Sequence, residues 1–228
     1  MSDDVNLLEL PEDFDGVARL FPLPNLVMFP GVMQPLHIFE SRYCEMLEDA
    51  LMSDQLIGMG LLQPGWESDY ESRPPVWETL CVGRIVSHSR DENGRFNILL
   101  LGLTRARMVR ELPPQRAFRE AEVQPVSDLY PQAATATRGL LQRELLEVFR
   151  RQASPLLAGE QIDQMLASEA PLGILTDIIA YTAGLTLDDK QLLLSEPNVD
   201  NRARKLIELV GSWDEPPRRP FPPDVSDN

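Results

Sequence analysis

Lysine is scarce: of the 21 basic residues in this 228-residue chain only Lys190 and Lys205 are lysines. A phosphate-binding GxxxxGK[ST] loop needs a lysine behind a glycine-rich turn, and neither follows one. Both lie in stretches whose periodicity predicts C-terminal helices, so nucleotide hydrolysis by such a loop is excluded. Cysteine is equally sparse, with Cys44 and Cys81 in no CxxC spacing. They cannot form a disulfide scaffold and read as buried, inert thiols. With only His37 and His88 besides, no ligand set for a metal is in view, and no cofactor is expected. No apolar run approaches the length needed to span a bilayer, and the leading MSDDVNLLELPEDFD has neither the basic flank nor the apolar core of a secretory signal. Positive charge is short as well. The net charge of -15 makes most of the surface repel phosphate, which disfavours a nucleic-acid or anionic-membrane binder. The expectation is a cytoplasmic, ATP-independent protein.

What is present is ordinary globular material, 43% hydrophobic and 25% charged, enough for a sizeable core. Its most specific stretch is Phe21–Tyr43, FPLPNLVMFPGVMQPLHIFESRY. Pro22 and Pro24 suit a strand edge, because proline lacks the ladder donor. Pro30-Gly31 predicts a turn in which glycine supplies a positive φ. Met33–Phe39 reads as a second strand. Glu40 then opens a helix with Tyr43, Met46, Leu47, Ala50 and Leu51 on one face.

This stretch closely resembles the opening of the Lon protease N-terminal, substrate-binding domain family: an apolar strand, a V-x-FPG turn and a PL-x-IFE-x-RY junction into a helix. Val82–Glu111 and the run around Pro171–Val210 are similar to later parts of the same family, in the same order. The resemblance implies an α+β fold. An antiparallel, strongly bent, PUA-like β part with one helix is followed by a C-terminal helical bundle. It also implies a non-enzymatic role in binding unfolded or partner polypeptides, with self-association as a further property. Lon-type proteases carry ATPase and Ser-Lys proteolytic modules, and no motif for either occurs here, so a stand-alone member without catalysis is expected.

Along the chain, residues 1–17 predict a flexible acidic arm and 18–127 the β-rich part. The helical part is expected over 131–213, and a disordered proline-rich tail over 214–228. Within the β part, Leu56–Leu62 and Leu80–His88 read as strands, Asn93-Gly94 as a type I′ hairpin turn, Phe96–Arg110 as a strand bent at Gly102, and Ala117–Gln124 as the last. Pro125–Pro131 looks like a junction. Gly184 fits a helix C′ position, and Thr186 with Asp189 an N-terminal cap.

Candidate chemistry is thin. His37 lies on a strand with no identifiable nucleophile or orienting carboxylate, so a structural histidine is favoured over a catalytic base and an uncharacterised hydrolase is a distant alternative. Eight arginines from Arg84 to Arg119 make that segment basic. Pairing with acids on a sheet surface is favoured over a PUA-like RNA contact, which remains the other alternative. The binding surface is expected where Leu26–Phe29, read as a strand, meets the loop Gln63–Thr79. There Met28, Phe29, Trp66, Tyr70 and Trp77 offer adaptable and aromatic area for tolerant peptide recognition. The competing expectation for each of these is ordinary core packing with the loop as a lid.

Overall fold

The computed structural model describes residues 9–68, 70, 72–152 and 170–211. The expected proline-rich tail and Trp213 lie outside the described residues. The chain divides into two compact units, with the boundary between Val126 and Ser127.

The first unit is built on a six-stranded sheet: β1 (Val17–Leu23), β2 (Met33–Ile38), β3 (Leu56–Leu61), β4 (Thr79–Arg90), β5 (Phe96–Glu111) and β6 (Arg119–Val126), with helix α1 (Ser41–Leu51) between β2 and β3. The strand order is β2-β5-β4-β3-β1-β6, and β5 also pairs with β6. Five strands therefore close into a ring, with β2 added at the edge of β5. All pairings are antiparallel except β1 with β3, where Leu20 lies opposite Gly58. The sheet is thus mixed rather than wholly antiparallel. A parallel neighbour needs a long crossover, and the segment holding β2 and α1 is that crossover.

Closure encloses an interior within the ring. Ala18 and Leu20 of β1, Leu56 of β3, Leu80 and Val82 of β4, Ala106 of β5, and Ala121 and Val123 of β6 form a single buried cluster. The small residues at three of these positions let the ring close tightly. Helix α1 buries Tyr43, Met46, Leu47 and Ala50, the face its periodicity predicts.

Four local expectations change. Leu26–Phe29 is not a strand; the chain there is irregular, and Val27, Met28 and Phe29 are all buried. Pro24 and Pro30 cannot donate to a ladder, and the Pro30-Gly31 turn, with Gly31 at φ 75°, folds this segment onto β5. The Gly31 amide donates to the Gly102 carbonyl, and the Gly102 amide to the Val32 carbonyl, each at 2.9 Å. The β4–β5 connection is not a type I′ turn, because of its residues only Gly94 has positive φ. It is a longer loop in which the Asp91 carboxylate accepts from the amides of Asn93 at 2.8 Å and Arg95 at 2.9 Å. Residues 9–17 are not a loose arm: Leu10 and Phe14 are partly buried against the ring interior, and Val17 begins β1. Gly184 does not adopt the left-handed conformation of a helix cap, and the preceding helix ends at Ala183 in extended backbone.

The second unit contains α2 (Thr135–Gln152), α3 (Leu172–Thr182), α4 (Leu187–Ser195) and α5 (Val199–Gly211) among its described residues. α2, α3 and α4 all pack on α5, which buries Ala203, Leu206 and Val210. Arg202, in its first turn, is fully buried. α4 begins with the cap expected from sequence: the Asp189 amide donates to the Thr186 hydroxyl oxygen at 3.1 Å. Asp188 and Asp189 also place negative charge in the first turn, which complements the helix dipole. Thr186→Ala is expected to cost about 1 kcal/mol, read as a lower midpoint in urea unfolding. An unchanged midpoint would show that the cap carries no stability.

Candidate functional site

The site is built around the start of α1. Extended backbone at Glu40 turns the chain from β2 into the helix, leaving the Glu40 and Arg42 side chains close together beside the loop that follows β3. Glu40 Oε2 accepts from Arg42 Nε at 2.9 Å, and Glu40 Oε1 accepts from the Tyr70 hydroxyl at 2.6 Å. The Arg42 guanidinium lies 4.7 Å from the Tyr43 ring centroid and 4.9 Å from that of Tyr70. It therefore lies within cation–π distance of two tyrosines, a favourable arrangement. Tyr43 is buried and packs on Phe21 with centroids 4.6 Å apart.

The electrostatics fit this geometry. Burial, then the hydrogen bond to Glu40, pushes the Tyr70 hydroxyl up to about 12, so it is a neutral donor at physiological pH. Burial pushes Tyr43 higher still. Burial also works against the charge on Arg42, but Tyr43 and Glu40 outweigh it and hold its pKa above the usual arginine value. The cation is fixed, and its partners are arranged around it.

Tyr70 in turn carries Trp66, whose ring meets it edge-on with centroids 5.6 Å apart. Trp66 sits in a short 3-10 turn, Trp66–Ser68, and is half-buried, as is Tyr70. The two form a small aromatic shelf pinned to α1 through Glu40 and Arg42. Trp77 is on the returning leg of the loop, exposed, with its amide donating to the Leu61 carbonyl at 2.9 Å. The ring contacts of the described residues do not join it to the shelf. Met28 and Phe29, at 1% and 0% exposure, belong to the core and present no surface. Of the five residues expected to share a site, the fold thus brings Trp66 and Tyr70 together and leaves three outside. Sequence reasoning missed Glu40 and Arg42 as the loop's anchors. The signal was there in IFESRY, but its partner Tyr70 is 30 residues away in sequence.

The other candidates are accounted for locally. His37 Nδ1 is 2.8 Å from Asn97 Oδ1 on the neighbouring strand. Four of the eight arginines from Arg84 to Arg119 pair with acids. Arg119 grips both oxygens of Glu111 at 2.8 and 2.7 Å, Arg110 pairs with Glu122 at 2.7 Å, Arg90 with Glu48 at 2.9 Å, and Arg116 with Asp49. Half of the basic strip in the sequence is thus paired with acids in the fold. Among the described residues no group of His, Cys, Asp and Glu has the arrangement of a metal site, and no helix is long and apolar enough to cross a membrane.

A closed five-strand ring with an added edge strand, a helix entered through Glu40 and Arg42, and a separate helical unit define a mixed α+β domain of the kind found at the start of Lon proteases. Solved structures carry the same fold. The N-terminal domain of Mycobacterium avium complex Lon protease matches with a TM-score of 0.67 at 19% identity, over 86% of this chain and 98% of that one. A Lon N-terminal domain protein from Xanthomonas campestris matches with a TM-score of 0.60 at 21% identity, over 84% and 97%. The chain belongs to the ATP-dependent protease La (LON) substrate-binding domain family, whose model matches residues 17–212. Its sequence relatives include the Lon protease of Roseiflexus castenholzii, 29% identical over 203 residues, and Lon protease 2 of Myxococcus xanthus, 26% identical over 205. These matches cover 88% and 87% of this chain but only 24% of each relative. The chain therefore spans about a quarter of the length of the curated relatives it matches.

Proposed function

We propose that this chain is a non-catalytic recognition domain that binds unfolded or partner polypeptides, with the Trp66–Tyr70 shelf as a contact surface. The observation that carries this reading is the shelf itself: two half-buried aromatic rings, held at 5.6 Å by a network that begins in the IFESRY stretch. Aromatic side chains offer large contact area at small entropic cost, and a pinned shelf needs no further ordering when it binds. The family match supports a substrate-recognition role in general. The residues that perform it are assigned by this proposal. Trp77 would extend the surface along the returning leg of the loop, while Met28 and Phe29 act only by supporting the turn from below. The RNA-binding alternative is weakened, since Glu111, Glu122, Glu48 and Asp49 already occupy four of the eight arginines it needs.

The test is titration of a fluorescently labelled, apolar-rich unfolded polypeptide against wild type, Trp66→Ala and Tyr70→Phe, followed by anisotropy. Trp66→Ala should weaken binding about tenfold, the effect of losing one aromatic contact of about 1.4 kcal/mol, with little change in melting temperature because Trp66 is not core. Tyr70→Phe keeps the ring and loses only the hydroxyl to Glu40, so it should loosen the loop and weaken binding less. Equal affinities in all three proteins would discard the shelf as the site, and no binding by wild type would discard polypeptide recognition.

A further inference from the structure

One mouth of the five-strand ring is closed by the chain's own leading segment. Leu10 and Phe14, both partly buried, pack against the apolar interior of the ring. A turn between them, in which the Phe14 amide donates to the Pro11 carbonyl at 3.1 Å, brings both onto the same cluster while Glu12 and Asp13 stay exposed. Beneath them lies Arg84. It pairs directly across the sheet with Leu56, a member of the interior cluster, and directly opposed strand residues share a face. Arg84 is therefore aimed inward, at the mouth.

Arg84 is only 5% exposed. Its Nη2 donates to the Glu9 carbonyl at 3.1 Å, its Nε is buried with no hydrogen-bond partner, and among the described residues no carboxylate lies within ion-pair distance of it. A buried guanidinium N–H without an acceptor is costly. A purely structural plug would be expected to satisfy it and to bury its own apolar side chains fully. This segment does neither: it offers Arg84 a single main-chain carbonyl, which any polypeptide can offer, and leaves Leu10 and Phe14 only partly buried.

We propose that this mouth is a second polypeptide-binding site, held closed by residues 9–14 acting as an internal ligand. It takes a turned segment of the same chemistry, with a main-chain carbonyl for Arg84 followed by two apolar side chains for the ring interior. The inference rests on polypeptide recognition as the domain's role, but it uses a surface separate from the Trp66–Tyr70 shelf. The leading segment sets a threshold: an incoming chain binds only when it outcompetes a tethered occupant, whose effective concentration is high.

The test uses the full chain carrying Leu10→Ser and Phe14→Ser together, and a labelled peptide with the sequence of residues 9–15. Wild type should bind the peptide negligibly, because its own segment occupies the site, while the double variant should bind it at least about tenfold more tightly. Adding Arg84→Gln to the double variant should weaken the peptide about tenfold or more, the effect of losing a charged hydrogen-bond donor. Adding Trp66→Ala should change nothing, which separates this site from the shelf. A second form of the chain, beginning at Asp15, checks that release of the segment rather than the serines is responsible. Equal binding by wild type and the double variant, or indifference to Arg84→Gln, overturns the proposal. So does loss of cooperative melting in both released forms, which would make the segment an integral part of the core.

Discussion

Replacing Arg202 with methionine is expected to destabilise the second unit by about 3–5 kcal/mol, visible as a large fall in its urea midpoint. The side chain is fully buried on α5. Its Nη1 and Nη2 each donate to the Asp128 carboxylate, at 2.9 and 2.8 Å. Nη1 also reaches the Glu196 carbonyl at 2.8 Å, and Nε reaches the Thr176 hydroxyl at 3.0 Å and lies 3.3 Å from Asp177. One guanidinium thus ties α5 to α3, to the end of α4 and to the chain entering the unit. Methionine matches its bulk, so packing is roughly preserved and the change isolates the loss of charge and donors. Asp177, only 3% exposed at its side chain, would lose the Arg202 cation. Arg202→Lys should rescue little, because an ammonium cannot reproduce the planar fork. A loss below about 1 kcal/mol for Arg202→Met would mean that the network gives the unit geometry without stability, a known outcome for buried ion pairs.

The second large effect is expected at Gly102, where Gly102→Ala should cost about 3 kcal/mol and lower the melting temperature of the first unit. A Cβ there would stand 2.2 Å from the Phe29 carbonyl oxygen and 3.0 Å from its carbon. Both are main-chain atoms, so no side-chain rotation relieves the clash. The turn at Pro30-Gly31 would have to lift off β5 and break the two hydrogen bonds that seat it on Gly102. The control is Gly139→Ala in α2, where a Cβ meets nothing within 4 Å. Alanine is the better helix former, so that change should stabilise by up to about 1 kcal/mol. If both substitutions gave the same small effect, close approach at Gly102 would not be what holds the turn.

Much of this protein follows from local pattern. The apolar positions of α1 repeat at helical spacing and are buried as that spacing requires. Pro30-Gly31 turns because proline presets φ and glycine accepts a positive one. Thr186 with Asp189 caps α4 because a hydroxyl oxygen three residues upstream is in reach of a free amide. The resemblance to the Lon N-terminal family could be read from the same local features, because motifs such as FPG and IFESRY are short-range constructions. The proximity of Trp66 and Tyr70 was also legible, since they lie four residues apart in one loop.

What depends on distant partners was not. Whether Met28 and Phe29 face solvent is decided by what packs over them, and β5 does so only because Gly102 leaves room for the Phe29 carbonyl. The parallel pairing of β1 with β3 follows from a crossover whose path no periodicity encodes. Glu40 and Arg42 become the loop's anchors only when Tyr70 arrives beside them. Half of the basic run from Arg84 to Arg119 is paired because Glu48, Asp49 and Glu122 are brought to it from other elements and Glu111 from its own, while Arg84 is turned inward to meet the leading segment. Chain-local sterics and hydrogen bonds determined the elements. Burial, pairing and charge compensation are properties of two surfaces at once, and only the tertiary structure brings the second surface.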